Sequence, residues 1–316
     1  MELTRRAVLL MAYGGPERLA DVEPFLLDVR GGRPTSPELV EEIRGRYAAI
    51  GGGSPLLAIT RAQAAALEDE LNRSGDAGWQ TFVGMRHWQP YVADAVREIA
   101  AAGHRRVVAL CLAPQYSRMS IGAYFAKLDE ALAGLDDPPE VARVESWHDH
   151  PGFLDAVAEK VAEALARLPV PPAEAHVVFT AHSLPRRIVA AGDPYDDQLR
   201  ATARRVALRA EARAGSPFPW TFCYQSVAAG AIDWLGPDVT HVVADLARAG
   251  HRHLLAAPIG FVSDHVEVLY DLDVEARLGA ERHGAHLHRT ESLNTTPRFI
   301  AALTSVVRGA MERLTG

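Results

Sequence analysis

The feature that most constrains this chain is a repeat. The stretch PYVADAVREIAAAGHRRVVALCLAP, starting at Pro90, returns as PDVTHVVADLARAGHRHLLAAPIGF from Pro237, at a constant offset of 147 residues. Val92/Val239, Val96/Val243 and Ala100/Ala247 match, as does the run Ala102-Gly103-His104-Arg105 with Ala249-Gly250-His251-Arg252. Each copy predicts the same unit. Proline opens a helix, apolar residues recur at helical spacing, glycine closes it, and a short apolar run makes a buried parallel strand. The strands heading each half correspond too: AVLLMAYGGP ends in Tyr13, three residues before Pro16, and HVVFTAHSLP ends in His182, three before Pro185. Alternating helices and strands of this kind predict an α/β fold of two similar halves with parallel sheets. Ligands of such sheets bind beyond the carboxyl ends of the strands, so the halves are expected to face across a cleft with Tyr13 and His182 on opposite lips. The expected domains are residues 1–150 and 151–316, the second closing with an amphipathic helix from Pro297 to Leu314.

A length of 316 residues accommodates two such domains. The net charge of −7 opposes a general nucleic-acid binder, which needs a basic face to displace counterions. The only cysteines, Cys111 and Cys223, form no CxxC pair, zinc set or four-cysteine iron–sulfur site. Two isolated thiols fit a reducing cytoplasm. The opening MELTRRAVLLMAYGG places two arginines before an apolar run, but the run is short and lacks a small-residue cleavage pattern, so it is expected to be the first buried strand. No stretch approaches about 18 consecutive apolar residues, and no membrane span is expected.

The residues able to do chemistry fall into three groups. In PIGFVSDHVEVLYDLDVEA (258–276), the acids Asp264, Glu267, Asp271 and Glu275 fall within an arc of about 80° if the segment is α-helical at about 100° per residue. Such a stripe repels itself. Its ordinary explanation is a solvated face whose first acids complement the helix N-terminus; the alternative is a row of ligands that passes a hydrated cation along. His182 is the second element. A strand-end histidine is commonly a hydrogen-bonded structural residue, but with Glu267 at the same sheet end it would supply a nitrogen ligand, an oxygen ligand and two proton acceptors. The third group is basic: Arg30, Arg33, Arg44 and Arg46 beside Tyr47, the glycine run 51–53 and Ser54. Guanidinium groups there are either surface residues at helix ends or a clamp for carboxylates or phosphates. His87 and Tyr124 lie near strand ends, with Trp88, Met119 and Ile121 as candidate apolar wall.

The motifs MAYGGP, RYAAIGGGSPL, GMRHWQPYVADAV, LAPQYS, ESWHDHPGF, TAHSLP, GDPYDDQL, YQS, WLGPDV and PIGFVSDHVEVLYDLDVE resemble, in order and over nearly the whole chain, the ferrochelatase family. The resemblance implies two Rossmann-like, chelatase-type halves and insertion of ferrous iron into a porphyrin. His182 matches the family's catalytic histidine and Glu267 the glutamate opposite it. The family's further line of acids falls on Asp271 and Glu275, so His182, Glu267, Asp271 and Glu275 are the implied metal-handling residues, with Asp264 anchoring the helix start. Tyr13 is similar to the branch acting on coproporphyrin III. Arg30, Arg46, Tyr47, Ser54 and Tyr124 fall on that branch's porphyrin-contact positions, and four propionates suit an arginine-rich rim.

Coproporphyrin III and Fe(II) are thus the implied substrates of a lyase of haem biosynthesis. No further cofactor and no iron–sulfur cluster are expected. The chain is expected to be a cytoplasmic monomer that hands its product to the next haem-pathway enzyme, with no nucleic-acid partner. The alternatives are a protoporphyrin IX ferrochelatase or a non-catalytic haem or porphyrin carrier on the same fold. The stretch before WLGP lacks the family's usual proline-rich spacing.

Overall fold

The computed structural model describes residues 5–73, 78–227 and 232–315. Two compact units emerge. The first comprises residues 1–147 and 294–316, the second 148–293.

The first unit carries parallel strands β1 (Arg6–Ala12), β2 (Trp79–Met85), β3 (Arg106–Cys111) and β4 (Glu140–Val144), in the order β2-β1-β3-β4. β1 reads as an uninterrupted apolar run because parallel strands are covered on both faces. Ala7, Leu9 and Met11 pack with the helices Val92–Ala101 and Ile121–Ala133. Val8 and Leu10, equally buried, alternate to the opposite face. The helices Leu56–Arg73 and Pro297–Thr315 pack against each other and against strands of this sheet.

The second unit repeats the plan with β5 (Ala175–His182), β6 (Trp220–Gln225), β7 (His253–Pro258) and β8 (His286–Arg289), in the order β6-β5-β7-β8. The repeat is exact at element level: helix Val92–Ala101 with β3, and helix Val239–Arg248 with β7, start and stop at positions 147 apart. Gly103 and Gly250 close the two helices at φ of 75° and 101°, a conformation glycine adopts without penalty. Each proline, however, stands just before the cap rather than inside the first turn. Tyr91 and Asp238 are the N-caps, with Asp238 accepting from Thr240 N–H at 2.8 Å.

One expectation needs correction. The closing helix belongs with the first unit, not the second. Phe299, Leu303 and Val307 are fully buried, and Phe299 stacks on Trp147 at 6.1 Å. Amphipathicity shows that a helix needs an apolar surface but not which sheet provides it. In helix Pro37–Ala49, Ser36 is the N-cap, its hydroxyl accepting from Leu39 N–H. Val40 and Tyr47 are its buried residues, while Leu39 lies exposed.

Both cysteines are buried and unbridged, and burial pushes their thiols far above the ordinary range. They behave as small apolar core residues. Among the described residues no helix is long and apolar enough to cross a membrane.

Candidate functional site

His182 is the last residue of β5, and Glu267 lies in the short helix Val266–Leu269 that follows β7, the neighbour of β5 in the sheet. Their side chains meet: His182 Nε2 stands 3.5 Å from Glu267 Oε1. The other ring nitrogen, Nδ1, donates to the carbonyl of Ser183. That bond fixes the tautomer, so that in the neutral ring the lone pair sits on Nε2, facing the carboxylate. Tyr195 braces the same backbone, its hydroxyl donating to the His182 carbonyl at 3.0 Å.

A second imidazole completes the arrangement. His265 Nε2 lies 3.6 Å from Glu267 Oε2, and its Nδ1 pairs with the Ser263 carbonyl at 3.0 Å. Phe261 packs edge-on against that ring at 4.4 Å. Glu267 therefore sits between two imidazoles, each held through Nδ1 by a backbone carbonyl. Sequence reasoning placed one histidine beside Glu267 and missed His265. No sequence pattern marked it, because His265 stands in extended backbone, at φ −162° and ψ 179°, just ahead of the helix that carries Glu267.

The electrostatics follow from this geometry. Burial alone would lower the His182 pKa, but the charge and hydrogen bond of Glu267, the Ser183 carbonyl and the charge of Asp271 raise it above its ordinary value. Burial alone would raise Glu267; the two imidazoles instead hold its carboxyl far below the usual carboxylate range.

The acid stripe is not a face of one α-helix. The α-helix ends at Leu269, and Asp271–Ala276 form a π-helix, in which Glu275 N–H bonds to the Tyr270 carbonyl five residues back at 2.9 Å. The wider turn re-aims every acid after Tyr270. Asp264 lies outside the helix, accepting from Ser292 at 2.7 Å and standing 3.4 Å from Arg289. Asp273 takes the same arginine through two bonds of 2.9 Å. Asp271 is buried and accepts from Ser226, whose backbone sits at φ 60°, a left-handed conformation costly for a residue with a side chain. Glu275 is exposed. Among the described residues no group of three or more His, Cys, Asp or Glu is assembled to hold a metal ion. Of the stretch before WLGP, residues 228–231 lie outside the described residues. Beyond them Trp234 pairs with Pro185, and Leu235 accepts from Ser183 Oγ at 2.7 Å.

In the first unit, Tyr13 follows β1 and is 41% exposed. Its ring lies 4.8 Å from His87 and 6.4 Å edge-on from Phe25, which in turn meets Trp88 at 6.1 Å. His87 pairs with Asp28 at 2.9 Å, while burial lowers its pKa. Tyr47 and Ser54 meet at Gly15: a Cβ there would stand 2.8 Å from Ser54 Oγ and 3.8 Å from the Tyr47 hydroxyl. In the glycine run, Gly51 and Gly52 take positive φ of 109° and 96°, while at Gly53 packing excludes a side chain, since a Cβ there would fall 2.1 Å from the Glu17 carbonyl. Tyr124 is buried beneath the guanidinium of Arg86, 5.6 Å from its ring centre. Arg46 pairs with Glu42 at 2.9 Å, and Arg30 is exposed at the end of helix Val22–Val29. Of the expected wall, Met119 is exposed, but Ile121 is fully buried in the core.

The fold is that of chelatases. SirB from Bacillus subtilis, solved with Fe3+, superposes with a TM-score of 0.60 at 12% identity, over 99% of this chain and 98% of its own. CbiX, described as the terminal enzyme of sirohaem biosynthesis in denitrifying bacteria, gives 0.53 at 12%, over 97% and 99%. The family is narrower than the fold. The ferrochelatase family model matches residues 5–311. A ferrochelatase from Herpetosiphon aurantiacus is 40% identical over 96% of this chain and 99% of its own. Coproporphyrin III ferrochelatases from a Geobacillus species and from Bacillus subtilis are 39% and 37% identical, over 97% and 99% of this chain and 98% and 100% of theirs. The chain belongs to the ferrochelatase family, whose reaction is the insertion of a metal ion into a porphyrin.

Proposed function

We propose that this chain inserts Fe(II) into coproporphyrin III, with His182 and Glu267 as the groups that receive the metal and take the pyrrole protons. The observation that carries the proposal is the 3.5 Å approach of His182 Nε2 to Glu267, with Nδ1 committed to the Ser183 carbonyl. Metal insertion releases two N–H protons from the macrocycle. A neutral His182 accepts the first at Nε2, and Glu267 stabilises the imidazolium that results. Iron near the carboxylate weakens the hold of His182 on its proton, so a doubly charged cation and the released protons do not accumulate at one point. His265, on the other oxygen of Glu267, is placed to relay the second proton toward solvent.

Exposed Glu275, buried Asp271 and part-exposed Glu267 follow one another along the chain. In this account they pass Fe(II) inward, with Asp271 held by Ser226. Coproporphyrin III, with four propionates, is favoured over protoporphyrin IX for two reasons. Several relatives at 37–40% identity carry that substrate in their names. Tyr13, exposed beside Phe25 and His87, supplies aromatic surface, and exposed Arg30 with part-exposed Arg46 and Ser54 supplies a polar, basic rim, while Tyr47 and Tyr124 are buried and act from behind it.

Anaerobic absorbance assays of Fe(II) insertion, run in parallel with coproporphyrin III and protoporphyrin IX, test the proposal. The expected result is a kcat/KM at least tenfold higher for coproporphyrin III. Equal or reversed preference removes the substrate assignment, and porphyrin binding without turnover for either makes the chain a carrier.

A further inference from the structure

The pairing of His182 with Glu267 depends on a support that neither residue supplies. Gln225 ends β6 in register with His182 on β5, and it is fully buried. Its main-chain carbonyl accepts the Ser183 N–H at 2.9 Å, and the Ser183 carbonyl is the group that holds His182 Nδ1. Its side-chain Nε2 donates to the main-chain carbonyl of Glu267. Its Oε1 accepts from the hydroxyl of Thr180, at 2.7 Å. Thr180 sits two residues before His182 and is also fully buried.

Donor and acceptor roles in this chain of bonds have one solution. The Glu267 carbonyl can only accept, so the amide must present its NH2 there. Oε1 then faces Thr180, whose hydroxyl must donate. One residue therefore ties the backbone behind the imidazole to the backbone behind the carboxylate, across three neighbouring strands' ends.

We propose that Gln225, oriented by Thr180, is a positioning residue that sets the His182–Glu267 separation without touching either reacting group. This rests on the reading of His182 and Glu267 as the iron-insertion pair. An apolar residue of similar length would leave the Glu267 carbonyl and the Thr180 hydroxyl unpaired in the interior and free the helix carrying Glu267 to shift. A shift of about 1 Å at reacting groups costs about 10²-fold in rate.

The test is steady-state Fe(II) insertion by the full chain, with thermal melts to confirm folding. Gln225→Met is expected to lower kcat about 10- to 100-fold with the porphyrin KM within threefold. Thr180→Val is expected to lower kcat severalfold and Thr180→Ser to recover it, which keeps the proposal testable if Gln225→Met does not fold. In a Glu267→Gln background, Gln225→Met should add less than twofold, because the group it positions is gone. A folded Gln225→Met with unchanged kcat, or a loss that appears equally in KM, overturns the proposal. Full turnover in Glu267→Gln itself would instead overturn the parent assignment, so the two failures are distinct.

Discussion

The exits of β1 and β5 occupy the same place in two sheets of the same order, yet they present different chemistry. β1 delivers Tyr13 into a group of rings, Phe25, His87 and Trp88, and the Gly14–Gly15 turn lets the chain lie against Ser54. β5 delivers His182 to a carboxylate, and every polar group of Ser183 is committed: N–H to Gln225, hydroxyl to Leu235, carbonyl to the imidazole. Both strands are apolar runs covered on two faces, so the scaffold imposes no preference. What differs is the ring-bearing residue at the strand's exit and the hydrogen bonding of what holds it. The first exit offers surface; the second offers a base and an acid in fixed registry.

The largest effect that would sharpen this contrast is on turnover. Glu267→Gln at the second exit should lower kcat by about 10²- to 10⁴-fold, the range of a lost proton-transfer partner. Tyr13→Phe at the first exit, which keeps the ring, should change it less than tenfold. Comparable losses at both exits in anaerobic assays would break the comparison.

Acid sensitivity should also be lopsided. His176, near the start of β5, stands where β1 has Ala7. Burial, with a smaller effect from His251, lowers its pKa to about 4. The folded state resists protonation while the unfolded chain titrates near about 6.5. The stability His176 contributes is therefore present above about pH 6.5 and lost as pH falls toward about 4, amounting at most to about 3 kcal/mol. Urea unfolding at pH 7 and pH 4.5 should show this loss in wild type and a smaller one in His176→Asn.

His182 and Glu267 carry the opposite kind of linkage. The raised imidazole stabilises below its unfolded pKa and loses that contribution as pH rises through the folded value. The depressed carboxyl stabilises above its unfolded pKa and loses that contribution as pH falls through the folded value. The stability difference between wild type and Glu267→Gln should therefore peak at about pH 4.3–6.5 and shrink above it. A difference that grew steadily toward pH 9 would contradict the pairing.

Smaller effects are expected along the path and the rim. Asp271→Asn should raise the KM for Fe(II) severalfold with the porphyrin KM unchanged. Arg46→Gln should raise the coproporphyrin KM by about threefold or less, an effect that salt weakens because the guanidinium is part-exposed. A larger effect on protoporphyrin IX than on coproporphyrin III would remove Arg46 from propionate binding.

The repeat made the fold class legible, since matched helix–strand units imply parallel strands and two like halves; the order of strands within each sheet came only with the structure. The meeting of His182 with Glu267 was legible because His182 ends one strand and Glu267 lies in the segment that follows the neighbouring strand, so both fall at the carboxyl end of one parallel sheet. The acid stripe was misread in shape because helical periodicity assumes 3.6 residues per turn, and the π-helix from Asp271 breaks that assumption. Asp264 looked like the first member of the row, but Arg289, distant in sequence, claims it together with Asp273. His265 was passed over because it precedes the helix, in extended backbone that only coordinates reveal. Gln225 carries no chemistry of its own, so no residue-type argument selects it.

The most direct measurement pairs porphyrin binding with iron insertion in His182→Ala. The expected result is a coproporphyrin III Kd within threefold of wild type and anaerobic Fe(II) insertion reduced at least 100-fold. Retention of most of the insertion rate in a variant that binds porphyrin normally would contradict it.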